Sequence, residues 1–243
     1  MPPVPPGPEP LPEPALARVR WQTATRIIAS RFPPIDLFER VAPDPAVWDA
    51  LIAAEMLTNP RVRDEIGAIA LVPPEERITG PGATWVMASF THLNPKGSRF
   101  SDGSWGVYYA AIDLETALAE TIHHFERYPR DSDDPIRDAD MRVLVGRIDQ
   151  TFHDIASLPE PARTAVLDPD DYATSRNLGR TLREAGSNGV TYPSVRHPAG
   201  RCIGAFRPKA VHPPVQERHL RYHWNGTRVS RWFDYTTATW QPR

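Results

Sequence analysis

The sequence predicts an α+β fold with mixed or antiparallel sheets and flanking helices. Two observations carry that class. Amphipathic helical segments concentrate in the stretch before Gly186, and short strand-like segments follow one another from Gly189 onward, with an Asn225-Gly226 hairpin signal between the last two. Early helices followed by late hairpins do not fit the regular alternation of a doubly wound parallel sheet. With 243 residues, 40% hydrophobic and 24% charged, the chain has the composition of an ordinary globular protein and the length of one large domain.

Taken in order, residues 1–14 hold eight of the 28 prolines, so residues 1–18 are expected to form an extended, flexible tail before a single domain over 19–243. "TATRIIASRF" reads as the first strand, ending at Pro33-Pro34. "DPAVWDALIAAEMLTNPRVRDEIG" predicts a helix with Asp44 as its cap, Pro45 in the first turn, and Val47, Leu51, Ala54 and Met56 as the apolar stripe. A strand is predicted around Trp85–Phe90, and "NPKGSRFSDGSWG" is a loop. "GVYYAAIDLETALAE" then reads as a strand turning at Asp113 into a helix. "RDSDDPIRDAD" is a charged surface loop and "MRVLVGRID" alternates like a strand. "DPDDYATSRNLGRTLREAG" predicts a helix capped by Asp168 or Asp170 and stopped by Gly186. Strands follow at "GVTYPSVR", "RCIGAFRP", "HLRYHW" and "TRVSRWF".

Charge and motif content exclude several function classes. The net charge of −2 lacks the basic excess of a duplex-binding domain. Lysine occurs only at Lys96 and Lys209, so the cationic side chains are almost all guanidinia, which suit phosphates and carboxylates. Cys202 is the sole cysteine, which rules out an internal disulfide and a cysteine-based zinc site. No signal peptide or bilayer-spanning apolar run is apparent, and a cytoplasmic protein without membrane or direct nucleic-acid contact is expected. Dinucleotide-binding, Walker, zincin and serine-hydrolase motifs are absent, and the eight histidines form no ligand set, so no metal is expected.

The candidate chemistry is dispersed. Leu114, Ala117, Leu118, Ile122 and Phe125 form one helical stripe, and Glu120 falls about 140° from its centre, beside Thr116, His123 and Arg127, as a solvated surface residue would. Tyr108 and Tyr109 alternate across one strand, so they face opposite sides. Arg99 sits in a Gly/Ser-rich loop able to hold a phosphate or to lie exposed. Ser194 follows a strand-breaking proline, where serine commonly serves as a turn former. Arg26 is a strand residue that could equally be an ion-pair partner at an edge.

The order of these residues resembles the RES-domain family, named for a dispersed Arg, Glu and Ser. The resemblance runs from about Thr25 to Arg207 and is densest at "GSRFSDGSWGVYYAAIDLETALAE" and "GSNGVTYPSVRHPAGRCIGAF". About 50 extra residues between the first arginine and the "GSRF" loop look like a helical insertion at about 41–90. The resemblance implies a fold similar to ADP-ribosyltransferase toxins. It also implies a toxin that degrades NAD by hydrolysis or phosphorolysis, or transfers ADP-ribose to a host protein; a non-catalytic binding module is the remaining reading. NAD is substrate rather than cofactor, and the implied partner is an antitoxin with an Xre-like helix-turn-helix domain. Carried over by motif, Glu120 in "TALAE" matches the family glutamate and Ser194 in "YPS" the serine. Tyr108 is the first match to the family tyrosine, with Tyr109 its rival, and Arg99 matches the loop arginine. Arg26 in "TATRII" is the choice for the first arginine, with Arg31 and Arg40 as rivals.

Overall fold

The computed structural model describes residues 11–31, 44–56, 66–130 and 138–243. Strands β1 (Leu16–Ala29), β2 (Tyr108–Ala111), β3 (Asp138–Asp154), β4 (Gly189–Pro193), β5 (Arg201–Ala205), β6 (Val215–Trp224), β7 (Val229–Asp234) and β8 (Thr239–Pro242) form one mixed sheet in the order β1-β2-β5-β4-β3-β6-β7-β8. Its helices are α1 (Trp48–Met56), α2 (Ala83–Thr91), α3 (Leu114–Arg130), α4 (Ala162–Val166) and α5 (Ala173–Glu184). The expected α+β class, with helices flanking a mixed sheet, is the one observed.

Strand β1 also pairs antiparallel with β3 along nearly its whole length, from Leu16↔His153 to Ala29↔Met141, so the first five strands close on themselves. Two joints in that ring are short. β3 meets β4 in parallel at only His153↔Val190 and Asp154↔Thr191. β1 meets β2 only at Thr25↔Ala111, so beyond Thr25 the two strands part.

The ring separates two cores. On one side, Ala117, Leu118 and Ile122 of α3 and Leu178 and Leu182 of α5 pack against Ile27, Val143, Val190, Tyr192 and Cys202. On the other, Trp48 and Ile52 of α1 and Val86, Met87 and Phe90 of α2 pack against Ala24, Tyr108, Ala110, Ile148, Phe152 and Ile203. Two-residue strand periodicity assigns neighbours to opposite cores: Ala24 to the second, Ile27 to the first.

Several expectations are corrected. Trp85–Phe90 is part of helix α2, because Val86, Met87 and Phe90 fall on one helical face and are all buried. Asp44 does cap its segment, accepting from Ala46 N, but a short 3-10 turn precedes α1. The buried face of α1 carries Trp48 and Ile52, whereas Val47 and Leu51 are exposed. Residues 57–65, in the expected remainder of that helix, and Arg40 lie outside the described residues. β1 begins at Leu16, inside the segment expected to be tail. Helix α5 starts only at Ala173, because Asp168 Oδ1 accepts from Asp170 N and Asp171 N in a turn before it. Gly186 ends α5 as expected, with φ +82° and Ser187 N bonded to Leu182 O. β6 ends at Trp224 and β7 begins at Val229, and the turn between them is closed by Asn225 N donating to Arg228 O around Gly226 and Thr227.

Gly179 brings α5 against the loop that carries Arg99. A Cβ at that position would lie 2.2 Å from Phe100 O. Gly179→Ala is expected to cost about 2 kcal/mol or more in denaturant unfolding, against less than about 0.5 kcal/mol for Asn177→Ala on the exposed side of the same helix. Equal midpoints for the two variants would refute this packing.

Candidate active site

Glu120 lies on the second turn of α3, whose N-terminus is fixed by Asp113: its Oδ1 accepts from Thr116 N at 2.8 Å. The helical arithmetic that put Glu120 away from the apolar stripe is correct, yet the side chain is only partly exposed. The loop after β4 folds over it. Ser194 N bonds Gly200 O, and Gly200 N bonds His197 O, closing a tight loop. Gly200 touches α3 so closely that a Cβ would sit 2.5 Å from Thr116 Oγ1. His197 Nδ1 and Thr116 Oγ1, 3.2 Å apart, add a second tie.

Ser194 is buried and its three hydrogen-bonding positions are all used. Its Oγ accepts from Arg196 N at 3.1 Å and His197 N at 3.0 Å. Its single proton then goes to Glu120 Oε1 at 2.6 Å. Ser194 therefore positions the glutamate, and the carboxylate's second oxygen is left for another donor.

Tyr109 faces the same side. Its register partner on β5 is Gly204, where a Cβ would approach Tyr109 Cε1 to 3.2 Å, so the missing side chain accommodates the ring. Its hydroxyl accepts from Phe100 N at 3.1 Å and pairs with Ser98 Oγ at 2.8 Å. Burial pushes this hydroxyl up to about 12, so it stays protonated at neutral pH.

Arg99 is buried on the wall opposite α3. Its Nη1 donates to Asp168 O at 2.7 Å, and its guanidinium lies 4.5 Å from the centre of the Tyr172 ring. Among the described residues its hydrogen-bond partners are carbonyls, and the Asp168 carboxylate also feels its charge. Tyr192 and Cys202 lie between the two walls, each feeling the charges of both Glu120 and Arg99. Burial raises both of their pKa values, so Cys202 stays a neutral thiol.

Arg99, Tyr109, Glu120 and Ser194 are thus brought together. Arg26 and Tyr108 are not: Tyr108 lies in the second core, across the sheet from α3, and the Arg26 guanidinium stacks 4.7 Å from its ring centre. Strand alternation places one tyrosine on each side, and the side shared with Glu120 holds Tyr109. Arg31 lies just past the end of β1, in a turn, and is exposed.

The sequence reading missed His124, Tyr172, Tyr192 and Arg196. His124 had a signal, since it follows Glu120 by one helical turn. Its pKa is lowered first by loss of solvent against the surrounding walls and then by the charges of His123, Arg127, Arg196 and Arg99. Arg196 had none; it reaches Pro169 O at 2.6 Å and ties the Ser194 loop to the loop holding Arg99.

The profile of the family described as RES domain matches residues 74–225. The chain belongs to the RES-domain family. The matched segment contains Arg99, Tyr109, Glu120 and Ser194; Arg26 and Arg31 precede it. Another similar protein is y4oC of Sinorhizobium fredii (strain NBRC 101917 / NGR234), 33% identical over 214 residues that cover 88% of this chain and 87% of that one. Among solved structures, the M. tuberculosis MbcT-MbcA toxin-antitoxin complex contains a chain 11% identical to this RES-domain protein, covering 83% of it and 85% of that chain, at a TM-score of 0.42. No helix among the described residues is long and apolar enough to cross a membrane.

Two outcomes test the site's architecture. Ser194→Ala removes the acceptor of two backbone N–H groups and the donor to Glu120, and should cost about 1–3 kcal/mol in urea unfolding. Wild-type stability would contradict the network. His124 binds a proton less readily folded than unfolded, so the unfolded chain protonates first as pH falls below the ordinary histidine value of 6.5. Stability is therefore lost as pH drops through that window. His124→Gln should flatten the acid-side decline measured by thermal melts, and an unchanged slope would exclude His124 as its source.

Proposed function

We propose that this RES-domain protein is the toxin of a toxin–antitoxin pair and that it cleaves the nicotinamide–ribose bond of NAD. The observation that carries this reading is the Ser194–Glu120 hydrogen bond, which holds a half-buried carboxylate on the side of the sheet that Tyr109 also faces. Breaking the C1′–N bond sends the electron pair out with neutral nicotinamide and leaves positive charge on the ribose, as in glycoside cleavage. Glu120 is placed to stabilise that charge: Ser194 occupies one oxygen, and the other can accept from a ribose hydroxyl. The leaving group needs no strong acid, and His124, held neutral, is not required as one.

Arg99 suits the pyrophosphate. Its guanidinium is fixed by carbonyl oxygens and makes no ion pair with a carboxylate among the described residues, so a phosphate oxygen could add a charge-assisted bond. Tyr109 offers an aromatic wall. For the first arginine, Arg31 is the better candidate than Arg26. Arg31 lies in the exposed turn just past β1, whereas the Arg26 guanidinium stacks on Tyr108 in the other core. Water, inorganic phosphate or a protein side chain would then take the ADP-ribosyl group. An antitoxin with an Xre-like helix-turn-helix domain is the expected partner, acting by covering the cleft.

Incubating the purified protein with NAD, with and without phosphate, and identifying products by mass tests the reaction. ADP-ribose or its phosphorylated form supports degradation. Label transferred from NAD to a protein band in cell extract would favour a mono-ADP-ribosyltransferase, and intact NAD in both would indicate a non-catalytic module. Glu120→Gln keeps an acceptor for the Ser194 proton and should retain stability while losing on the order of 10²–10³ in turnover. Wild-type turnover by that variant would remove Glu120 from the mechanism. Arg31→Ala should raise the KM for NAD more than Arg26→Gln does, and the reverse order would return the role to Arg26.

A further inference from the structure

Ser194 is not the only tie between its loop and α3. Thr116 and Glu120 stand one turn apart on the same face of that helix, and each is bonded to the loop after β4. The links close a ring. Thr116 Oγ1 and His197 Nδ1 lie 3.2 Å apart, His197 N donates to Ser194 Oγ at 3.0 Å, Ser194 Oγ donates to Glu120 Oε1 at 2.6 Å, and the helix joins Glu120 back to Thr116. The Thr116 end is the anchored one. Its side chain is fully buried, whereas Glu120 and His197 are partly exposed. Its N donates to Asp113 Oδ1 at the start of the helix. A Cβ on Gly200 would lie 2.5 Å from both Thr116 Oγ1 and Thr116 Cγ2, so the loop rests directly on this side chain.

A loop attached at Glu120 alone could pivot about one hydrogen bond. A second attachment one turn away, about 5.4 Å along the helix, fixes its direction. Ser194 has one proton to give, and where that proton points depends on the donors that hold its oxygen. One of those donors is His197 N, whose ring meets Thr116. The Thr116 hydroxyl therefore acts on the carboxylate through three hydrogen bonds without touching it. Without that hydroxyl the His197 ring loses its partner on the helix. The loop would then shift rather than the helix, because Ala117, Leu118 and Ile122 hold α3 in the first core. A small displacement of a reacting group lowers rate more than binding.

We propose that Thr116, together with His197, is a positioning residue for Glu120: it keeps the loop in the register on α3 that holds Ser194 on the carboxylate. This role rests on the reading of Glu120 as the group that stabilises the ribose cation. Thr116→Val keeps the side-chain shape and removes the hydroxyl, whereas Thr116→Ser keeps the hydroxyl. The first measurement needs no substrate. The side-chain carboxyl ¹³C resonance of Glu120, identified by its absence in Glu120→Gln, is compared among variants. Ser194→Ala gives its position without the hydrogen bond. Thr116→Val should move it toward that position, and Thr116→Ser should bring it back toward wild type. With NAD, Thr116→Val should lower kcat about tenfold while KM changes by less than about twofold, and Thr116→Ser should recover most of the rate. Should Thr116→Val fail to fold, His197→Leu removes the same bond from the more exposed side. A resonance that stays at its wild-type position would overturn the proposal, as would a shifted resonance with wild-type kcat, or a change confined to KM. Wild-type protein that leaves NAD intact would tell against the proposed activity, and the resonance would still decide whether Thr116 positions Glu120.

Discussion

The two-residue period of β2 is the constraint on which both faces of the sheet depend. This strand of four residues is bound on one edge by β5 along its length and on the other by a single β1 pair. Tyr108 must face α1 and α2, and Tyr109 must face α3. A slip of one residue would exchange the two rings and carry both arginine contacts with them. The register is held because only Gly204 leaves room for Tyr109, while Tyr108 is buried in the second core. From Ala111 the chain turns at Asp113 directly into α3, so the separation of Tyr109 from Glu120 is set by one turn and two helical turns.

Among the described residues, Glu120 is held by one hydrogen bond, from the Ser194 hydroxyl. A carboxylate paired with a guanidinium would be stabilised, but its charge would be spent. Here a serine whose remaining capacity is taken up by two backbone N–H groups supplies one hydrogen bond, and no guanidinium pairs with Glu120 among the described residues. The cost of withdrawing that carboxylate from water is moderated because it remains partly exposed. Such a group responds strongly to positive charge appearing beside it, which is the property a developing oxocarbenium ion would exploit.

Much of this was legible in the sequence, and the losses have identifiable physical causes. The Asp113 turn, the stripe of α3 and the Gly186 stop follow local rules, and the structure keeps them. "WVMASF" has the composition of a strand because a short apolar run lacks a decisive period; as part of α2 it buries Val86, Met87 and Phe90 in the second core. The stripe of α1 was misplaced by one residue because Trp48 and Ile52 alternate with equally apolar Val47 and Leu51. Glu120 shows the limit most plainly. Its angle from the stripe was right, but a helical wheel cannot see a loop 74 residues later in the chain folding over the polar face. Likewise, alternation established that Tyr108 and Tyr109 diverge without establishing which one joins α3.

The two arginines make the same point from the side of charge. Arg26 and Arg99 have closely similar surroundings: each donates to a main-chain carbonyl, each lies against a tyrosine ring, and neither meets a carboxylate among the described residues. A fold that leaves two guanidinia so weakly compensated carries a standing electrostatic cost at both. Binding an anion at either would recover part of it. What separates them is the wall each faces. Across from Arg99, beyond Tyr192 and Cys202, stands a carboxylate fixed by a serine, so an anion arriving there also meets a group able to act on its sugar. Arg26 instead borders a recess lined by Ser89, His92, Asn94 and Tyr109 together with apolar side chains, and neither Glu120 nor Ser194 is among its walls.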